Sequence, residues 1–403
     1  MTETALAGLK VLEYAQLVSG PYCTKLLADL GAEAIKIEPP AGGDEARRRG
    51  PFLKDVPHPE RSGLFFYLNT NKLGITLNLN ATTGRKIFKE LVKETDVLVE
   101  DNPPKVMKEL GLDYESLMDI NPRLIMTSIT PFGQTGPYRD YKAYHLNIYH
   151  GSGLAKILAD VLQDEVKQPL KGAGFLGEYD SGVNAAMATM AALYSRLFTG
   201  MGQHIDISKQ ESLIALERVE IGMYGNEGVS MMSTVTIQGM LGGLQRCKDG
   251  YVVLTIPMPH QWQALIELMG NPDWAQDERL TDEFFRAQHA QELNNFIAEW
   301  LSNYTKDEIF HRAQALSCPI GAVTTPEDLL ASEQLKAREF FAEVDHPEMG
   351  KVKCPTAPYR YSKTPWRVER PAPLLGEHNE EIFRKRLGYQ KEDLVRMRGA
   401  GII

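Results

Sequence analysis

Residues 9–38 read LKVLEYAQLVSGPYCTKLLADLGAEAIKIE, and they divide into strand, helix and strand. Residues 9–14 are a short apolar strand, 21–30 a helix, and 34–38 a second strand with alternating character. Gly31 stands where a helix C-cap glycine belongs.

Outward from this unit the alternation continues. Residues 75–79 (ITLNL) predict a third strand, and 83–94 an amphipathic helix with Ile87, Leu91 and Val92 on one face. Residues 97–100 and 124–129 extend the strand series. Strands alternating with helices imply a mainly parallel sheet with covered faces, so the expected class is α/β. From about residue 224 the character changes. Residues 225–250 are rich in Gly, Met, Ser and Thr and read as loop; 251–256 predict a strand, and 260–269, 306–315 and 326–332 helices. From about residue 335 the chain turns irregular and proline-rich, before helices at 379–387 and 391–397. The expected division is therefore 1–223 in a large domain, 224–334 in a smaller mixed α/β domain, and 335–403 as a return segment completing the first.

Composition narrows the function classes. At 403 residues, 43% hydrophobic and 24% charged, the chain has the make-up of a soluble globular protein. A net charge of −9 argues against a nucleic-acid binder, which needs a basic footprint. No apolar run approaches the roughly 20 residues that span a bilayer, so no membrane partner is expected. The start of the chain lacks the basic and apolar regions of a signal peptide. Cys23, Cys247, Cys318 and Cys354 are far apart and form no metal-type or redox pair. A cytoplasmic setting and no metal are expected.

The candidate centre of chemistry is Asp180, in Gly177-Glu178-Tyr179-Asp180-Ser181-Gly182, before a run of small residues that predicts a tightly packed helix. A carboxylate at a loop-to-helix junction is either an N-cap or a nucleophile approached through flexible glycines, and caps are the commoner case. Residues 172–177 (GAGFLG) match the dinucleotide fingerprint literally, but the lysine-flanked proline before them is a poor strand, so no nicotinamide or flavin is expected. Arg47, in the basic run after the second strand, is either part of a solvated loop or a phosphate ligand. Asn71 and Lys72, and Lys142 with Tyr144, place further polar groups near sheet edges. Such loops would suit a long phosphorylated ligand.

With these pieces assembled, the chain resembles the class III CoA-transferases. That family includes formyl-CoA:oxalate, carnitine and bile-acid CoA-transferases, and α-methylacyl-CoA racemase. The markers are 6–13 (LAGLKVLE), 28–38 (ADLGAEAIKIE), 132–138 (FGQTGPY), Asp180-Ser181-Gly182, 202–208 (GQHIDIS) and 373–379 (PLLGEHN), in order over nearly the whole length. The resemblance implies a Rossmann-like large domain with a parallel sheet, a small domain, and ring-shaped chains interlocked in a homodimer. It implies coenzyme A and acyl-CoA as substrates, with no permanently bound cofactor, and a carboxylic acid as acceptor. Asp180 matches the catalytic aspartate, which forms an aspartyl anhydride and then an aspartyl-CoA thioester. Lys142 matches a CoA-contacting lysine, Asn71 and Lys72 line the nucleotide end, and Gly239, Gly242 and Gly243 fall in the glycine-rich loop over the intermediate.

Departures bear on substrate. Val18 stands where formyl-CoA transferases carry a glutamine at the acyl group, and His145 where they carry an active-site glutamate. Pro103 and Lys105 replace an Arg-Pro-Gly pattern, so that one phosphate contact is either lost or moved to Lys105. With Met223, Met231, Met232 and Met240 nearby in sequence, a larger or more apolar acid than oxalate is expected. The competing readings are a racemase or epimerase of the same fold, disfavoured by Tyr144-His145 where racemases have a His-Asp pair, and a CoA-binding subunit of a hetero-oligomer.

Overall fold

The computed structural model describes residues 4–156, 171–216, 218–228, 241–256 and 258–403. These divide into two compact units, the larger from residues up to 156, 171–218 and 339–403, the smaller from 219–338.

The larger unit is built on six strands: β1 Lys10–Tyr14, β2 Glu33–Glu38, β3 Lys72–Thr76, β4 Val97–Glu100, β5 Ile125–Thr130 and β6 His204–Ser208. All pairings are parallel, in the order β3-β2-β1-β4-β5-β6. Because side chains alternate across each strand, the sheet has two distinct faces. On one, Val11, Val97, Val99, Ile125 and Ile129 meet α1 (Ser19–Ala28) through Cys23, Leu27 and Ala28. The long helix that begins at Leu176 adds Ala185, Ala186 and Ala192 to the same cluster. On the other, Leu12, Ile35, Ile37, Leu98 and Met126 meet α2 (Thr82–Val92) through Ile87, Phe88, Leu91 and Val92. Ile382, Phe383, Leu394 and Met397 complete that second layer, so the end of the chain belongs to the same core as its beginning.

Three further helices matter for the site: α3 Pro104–Leu110, α4 His145–Gly151, and α5 Leu176–Thr199, followed by the short α6 Lys209–Ile214 after β6. The smaller unit has its own antiparallel sheet of β7 Gly242–Arg246, β8 Tyr251–Thr255 and β9 Ile320–Ala322. Val252, Leu254, Trp262, Leu265, Ile297 and Ile309 form its core.

Several sequence expectations are corrected. The third strand begins at Lys72, not residue 75, because charged residues continue the strand inside the core. Lys36 and Lys72 each lie 2.7 Å from Glu13, and all three are fully buried. Burial alone would raise the Glu13 carboxyl, but the two ammonium groups outweigh it and hold it below the ordinary value. Burial, with the neighbouring Lys36 charge, pulls Lys72 down to about 8 against the opposing pull of Glu13. Residues 204–208 are a strand whose polar alternation hid it. The stretch expected to be loop, 225–250, overlaps the end of helix Arg218–Glu227 and holds strand β7. The proline-rich return segment holds an antiparallel hairpin, Phe341–His346 with Gly350–Pro355. Among the described residues, no helix is long and apolar enough to cross a membrane.

Candidate active site

Open parallel sheets bind ligands beyond the carboxyl ends of their strands, where the strand order reverses. Here that point lies between β1 and β4. The turn after β1 is held by two carboxylates. The Gln16 N–H donates to both oxygens of Asp101, at 3.1 Å each, and the Leu17 N–H donates to Asp44 Oδ1 at 2.9 Å. Leu17 sits at φ 61°, a left-handed conformation unusual for a branched side chain, so these two bonds stabilise a costly turn.

Helix α5 reaches the same edge. It runs 24 residues, longer than the strands beneath it, and ends beside the start of β6, which leaves its first turns beyond the strand ends. At Gly182 a Cβ would lie 2.8 Å from the Ser19 carbonyl and 3.1 Å from Tyr22, so only glycine admits this approach of α1. Tyr179 packs edge-on against Tyr22 at 4.8 Å, and Phe175, Tyr179 and the 1%-exposed Val18 share one apolar cluster. Asp180 is thereby brought to the turn after β1.

Its local role differs from the N-cap expectation. The helix starts four residues earlier, and the cap position falls on Phe175, which makes no side-chain cap bond. Asp180 lies in the second turn, half-buried, and burial raises its carboxyl above the ordinary aspartate value. The stabilisation that a helix dipole gives a carboxylate fades within the first turn, so it does little here. Asp180 Oδ2 accepts one hydrogen bond, from Asn184 Nδ2 at 3.2 Å.

Sequence reasoning missed Lys209 and named His145, and both lie against the start of α5. Lys209, first in α6, lies 2.6 Å from Glu178, and both side chains are mostly buried. No spacing links the two in sequence; β6 and α5 bring them together. His145, first in α4, has its ring 5.8 Å from Phe175 and 6.0 Å from Tyr149. Its Nε2 is buried without a hydrogen-bond partner among the described residues. Burial, then Lys171, lowers the His145 pKa, with Glu178 acting in the opposite direction. The imidazole is therefore poised to be neutral near pH 7.

Two adjacent carboxyls close the crevice at the end of β4. Burial lifts Asp101 to about 8 and Glu100 to about 7. Lys209 and the Gln16 N–H pull Asp101 down, and Glu100 and Asp44 push it further up. A carboxyl that binds its proton more tightly when folded makes stability fall as pH rises from its unfolded value, near 4, toward 8. Asp101→Asn keeps a neutral acceptor in place. It is expected to flatten the loss of stability between about pH 4 and 8, read from denaturant midpoints across that range. An unchanged slope would place the titrating group elsewhere.

The other expected ligand residues separate. Lys105, in the first turn of α3, is 73% exposed and 3.6 Å from Glu109. It lines a cavity of about 560 Å³ together with Glu100, Lys108, Gln134, Arg139 and His204. Lys142 and Tyr144 are exposed just before α4. Arg47 and Lys72 do not face a ligand: both are fully buried, Arg47 against Glu38 and Glu60, Lys72 against Glu13, Asn69 and the Pro21 carbonyl. Asn71 sits at the opposite, N-terminal edge of the sheet. There it bonds Asp29 and the backbone of Arg367, Glu369 and Arg370, pinning the return segment. Gly242 and Gly243 open β7 in the smaller unit at φ 94° and 72°. Gly239, with Met231, Met232 and Met240, lies outside the described residues. Among the described residues, no cluster of His, Cys, Asp and Glu could hold a metal.

Comparison with known proteins gives a consistent set. The model of CoA-transferase family III matches residues 6–379. The chain is 33% identical to a formyl-CoA:oxalate CoA-transferase of Streptomyces coelicolor over 100% of both chains. It is 31% identical to the beta subunit of a succinyl-CoA–L-malate CoA-transferase of Chloroflexus aurantiacus, covering 100% of this chain and 99% of that one. A CAIB/BAIF family protein from Brucella suis has the same fold, with a TM-score of 0.85 at 28% identity, over 95% of this chain and 99% of that one.

Proposed function

The chain belongs to CoA-transferase family III, and from that premise we propose that it moves coenzyme A from an acyl-CoA to a free carboxylic acid through covalent intermediates on Asp180. The observation that carries this reading is the placement of a half-buried carboxylate, without a paired cation among the described residues, at the switch point of a parallel sheet. Burial strips water from the carboxylate and raises its basicity, and with it its nucleophilicity.

Asp180 attacks the thioester carbonyl, and the CoA thiolate departs to leave a mixed anhydride. The thiolate then attacks the aspartyl carbon, forming an aspartyl-CoA thioester and freeing the first acid. The incoming carboxylate repeats these steps in reverse. Each step exchanges one activated acyl group for another, so ATP is not needed. In this reading Lys105, with Lys108 and Arg139 on the same cavity, meets the phosphates of CoA, and Lys142 and Tyr144 approach the ligand from the exposed segment before α4. The neutral His145 and the buried Val18 border the acyl group.

The acid pair is open to assay. The two relatives named above carry different acid pairs at nearly the same identity, so overall similarity does not select one. The preference for a larger acid than oxalate is retained as part of the proposal. A homodimer also belongs to it, supported by an apolar stripe on α5, where Met187, Tyr194, Leu197 and Phe198 are more than 60% exposed. A cytoplasmic site agrees with four free, buried cysteines.

The test is a screen of acyl-CoA donors against isotopically labelled acids without ATP. Transfer of CoA to the labelled acid is the expected result. Solvent deuterium entering the α-carbon without acyl exchange would make the chain a racemase of the same fold.

A further inference from the structure

Asn184 lies four residues after Asp180, on the same face of α5, and its Nδ2–H already points at Asp180 Oδ2, 3.2 Å away. Among the described residues no hydrogen bond reaches Oδ1. The two oxygens of the carboxylate are therefore not equivalent: one is held by an amide donor and the other is free to react.

We propose that Asn184 is a catalytic residue that holds the aspartyl carbonyl oxygen of the covalent intermediates and stabilises the negative charge that develops on it. The inference rests on the CoA-transferase reading of Asp180. When Oδ1 attacks the acyl thioester, the carbon–sulfur bond of the donor breaks and Oδ1 becomes the bridging oxygen of the anhydride. Oδ2 becomes the carbonyl oxygen of the aspartyl half, still facing Asn184. The thiolate then forms a bond to the aspartyl carbon, and the carbonyl electron pair moves onto Oδ2. A tetrahedral intermediate results, with its charge on the oxygen that Asn184 faces. Collapse breaks the bond from the aspartyl carbon to Oδ1, and the first acid leaves with that oxygen and its electron pair. Attack by the acceptor carboxylate on the aspartyl-CoA thioester passes through the same charge on Oδ2. A donor placed where charge develops acts in the transition state more than in the ground state.

The helix explains why a 3.2 Å contact serves this purpose. The i,i+4 spacing fixes the two side chains on adjacent turns, and Asn184 is itself half-buried, so little reorganisation is needed. As negative charge grows on Oδ2, a bond that is long in the resting enzyme is drawn shorter and strengthens.

The test follows formation of the aspartyl-CoA thioester in single-turnover experiments on the full chain, trapped with hydroxylamine and read on the Asp180 peptide. Asn184→Ala is expected to slow thioester formation and kcat by about 10²-fold or more, with the KM for acyl-CoA little changed. Its acid limb in kcat/KM should move to higher pH, because the ionised carboxylate loses a donor. Asn184→Asp keeps the size of the side chain but removes the N–H and adds a like charge, so it should lose at least as much and shift the limb further. A loss confined to thermal stability, or wild-type rates in both variants while wild-type enzyme forms the adduct, would overturn the role of Asn184. Absence of any Asp180 adduct in wild-type enzyme would overturn the CoA-transferase reading instead.

Discussion

Replacing Asp180 by alanine is expected to lower CoA transfer by about 10⁴-fold or more, with the fold intact. The size of the loss follows from the chemistry proposed. Without a carboxylate there is no anhydride and no enzyme-bound thioester, and free CoA in water has no activated acyl group to exchange. The fold should survive because, among the described residues, the one side-chain hydrogen bond of Asp180 is to Asn184 and no buried cation pairs with it. Burial of this carboxylate opposes its ionised form, so truncation relieves a small cost. The measurement is exchange of labelled acid into the CoA pool, paired with mass spectrometry of the Asp180 peptide after trapping. The two must vanish together. A variant that transferred CoA at the wild-type rate would remove Asp180 from the mechanism. The pH dependence supplies an independent check. Activity requires the ionised carboxylate, and burial raises its pKa, so the acid limb of kcat/KM should lie above the ordinary aspartate range.

The parallel sheet was legible because its apolar strands alternate with amphipathic helices. Residues 97–100 and 306–315 coincide with elements of the structure, and the Asp180 region falls on the helix its small residues predict. What escaped sequence reading has a common cause. Hydrophobic periodicity assumes that strand interiors are apolar, and here Glu13, Lys36, Lys72, Glu38 and Arg47 occupy the interior with charges satisfied by one another. The start of β3 was therefore missed, and two interior cations resembled phosphate ligands. Strand β6 is an edge strand with polar residues on one face, which weakens its signal further. The pair Lys209–Glu178 is invisible for another reason: it joins residues 31 apart, across elements whose packing no local pattern encodes. A family resemblance carries positions but not environments. It suggested Lys72 and Asn71 as ligand contacts, as the basic run suggested Arg47, and burial or a position at the opposite sheet edge argues against each of them.

Arg47 separates these two ways of reading a basic residue. Were its guanidinium a phosphate ligand, Arg47→Ala would raise the KM for acyl-CoA and leave stability nearly unchanged. The structure predicts the reverse. Arg47 Nε and Nη2 each lie 2.7 Å from Glu38, Nη1 lies 2.5 Å from Glu60, and Nη2 donates to the Pro373 carbonyl at 3.0 Å. The guanidinium also stacks on Phe65, 3.7 Å from the ring centre. Alanine would leave Glu38 buried without its cation and release Pro373 from the core, which is expected to cost about 3–5 kcal/mol. The denaturant midpoint should fall while its slope stays constant, since the surface exposed on unfolding is unchanged. Arg47→Lys should recover only part of the loss, because an ammonium group does not reproduce the planar fork that grips Glu38. Pairing Arg47→Met with Glu38→Leu should recover more than Arg47→Met alone, because the penalty comes from the stranded carboxylate and not from the lost attraction. If the double variant were no more stable than Arg47→Met, the hold on Pro373 and Phe65 would be the larger contribution of Arg47.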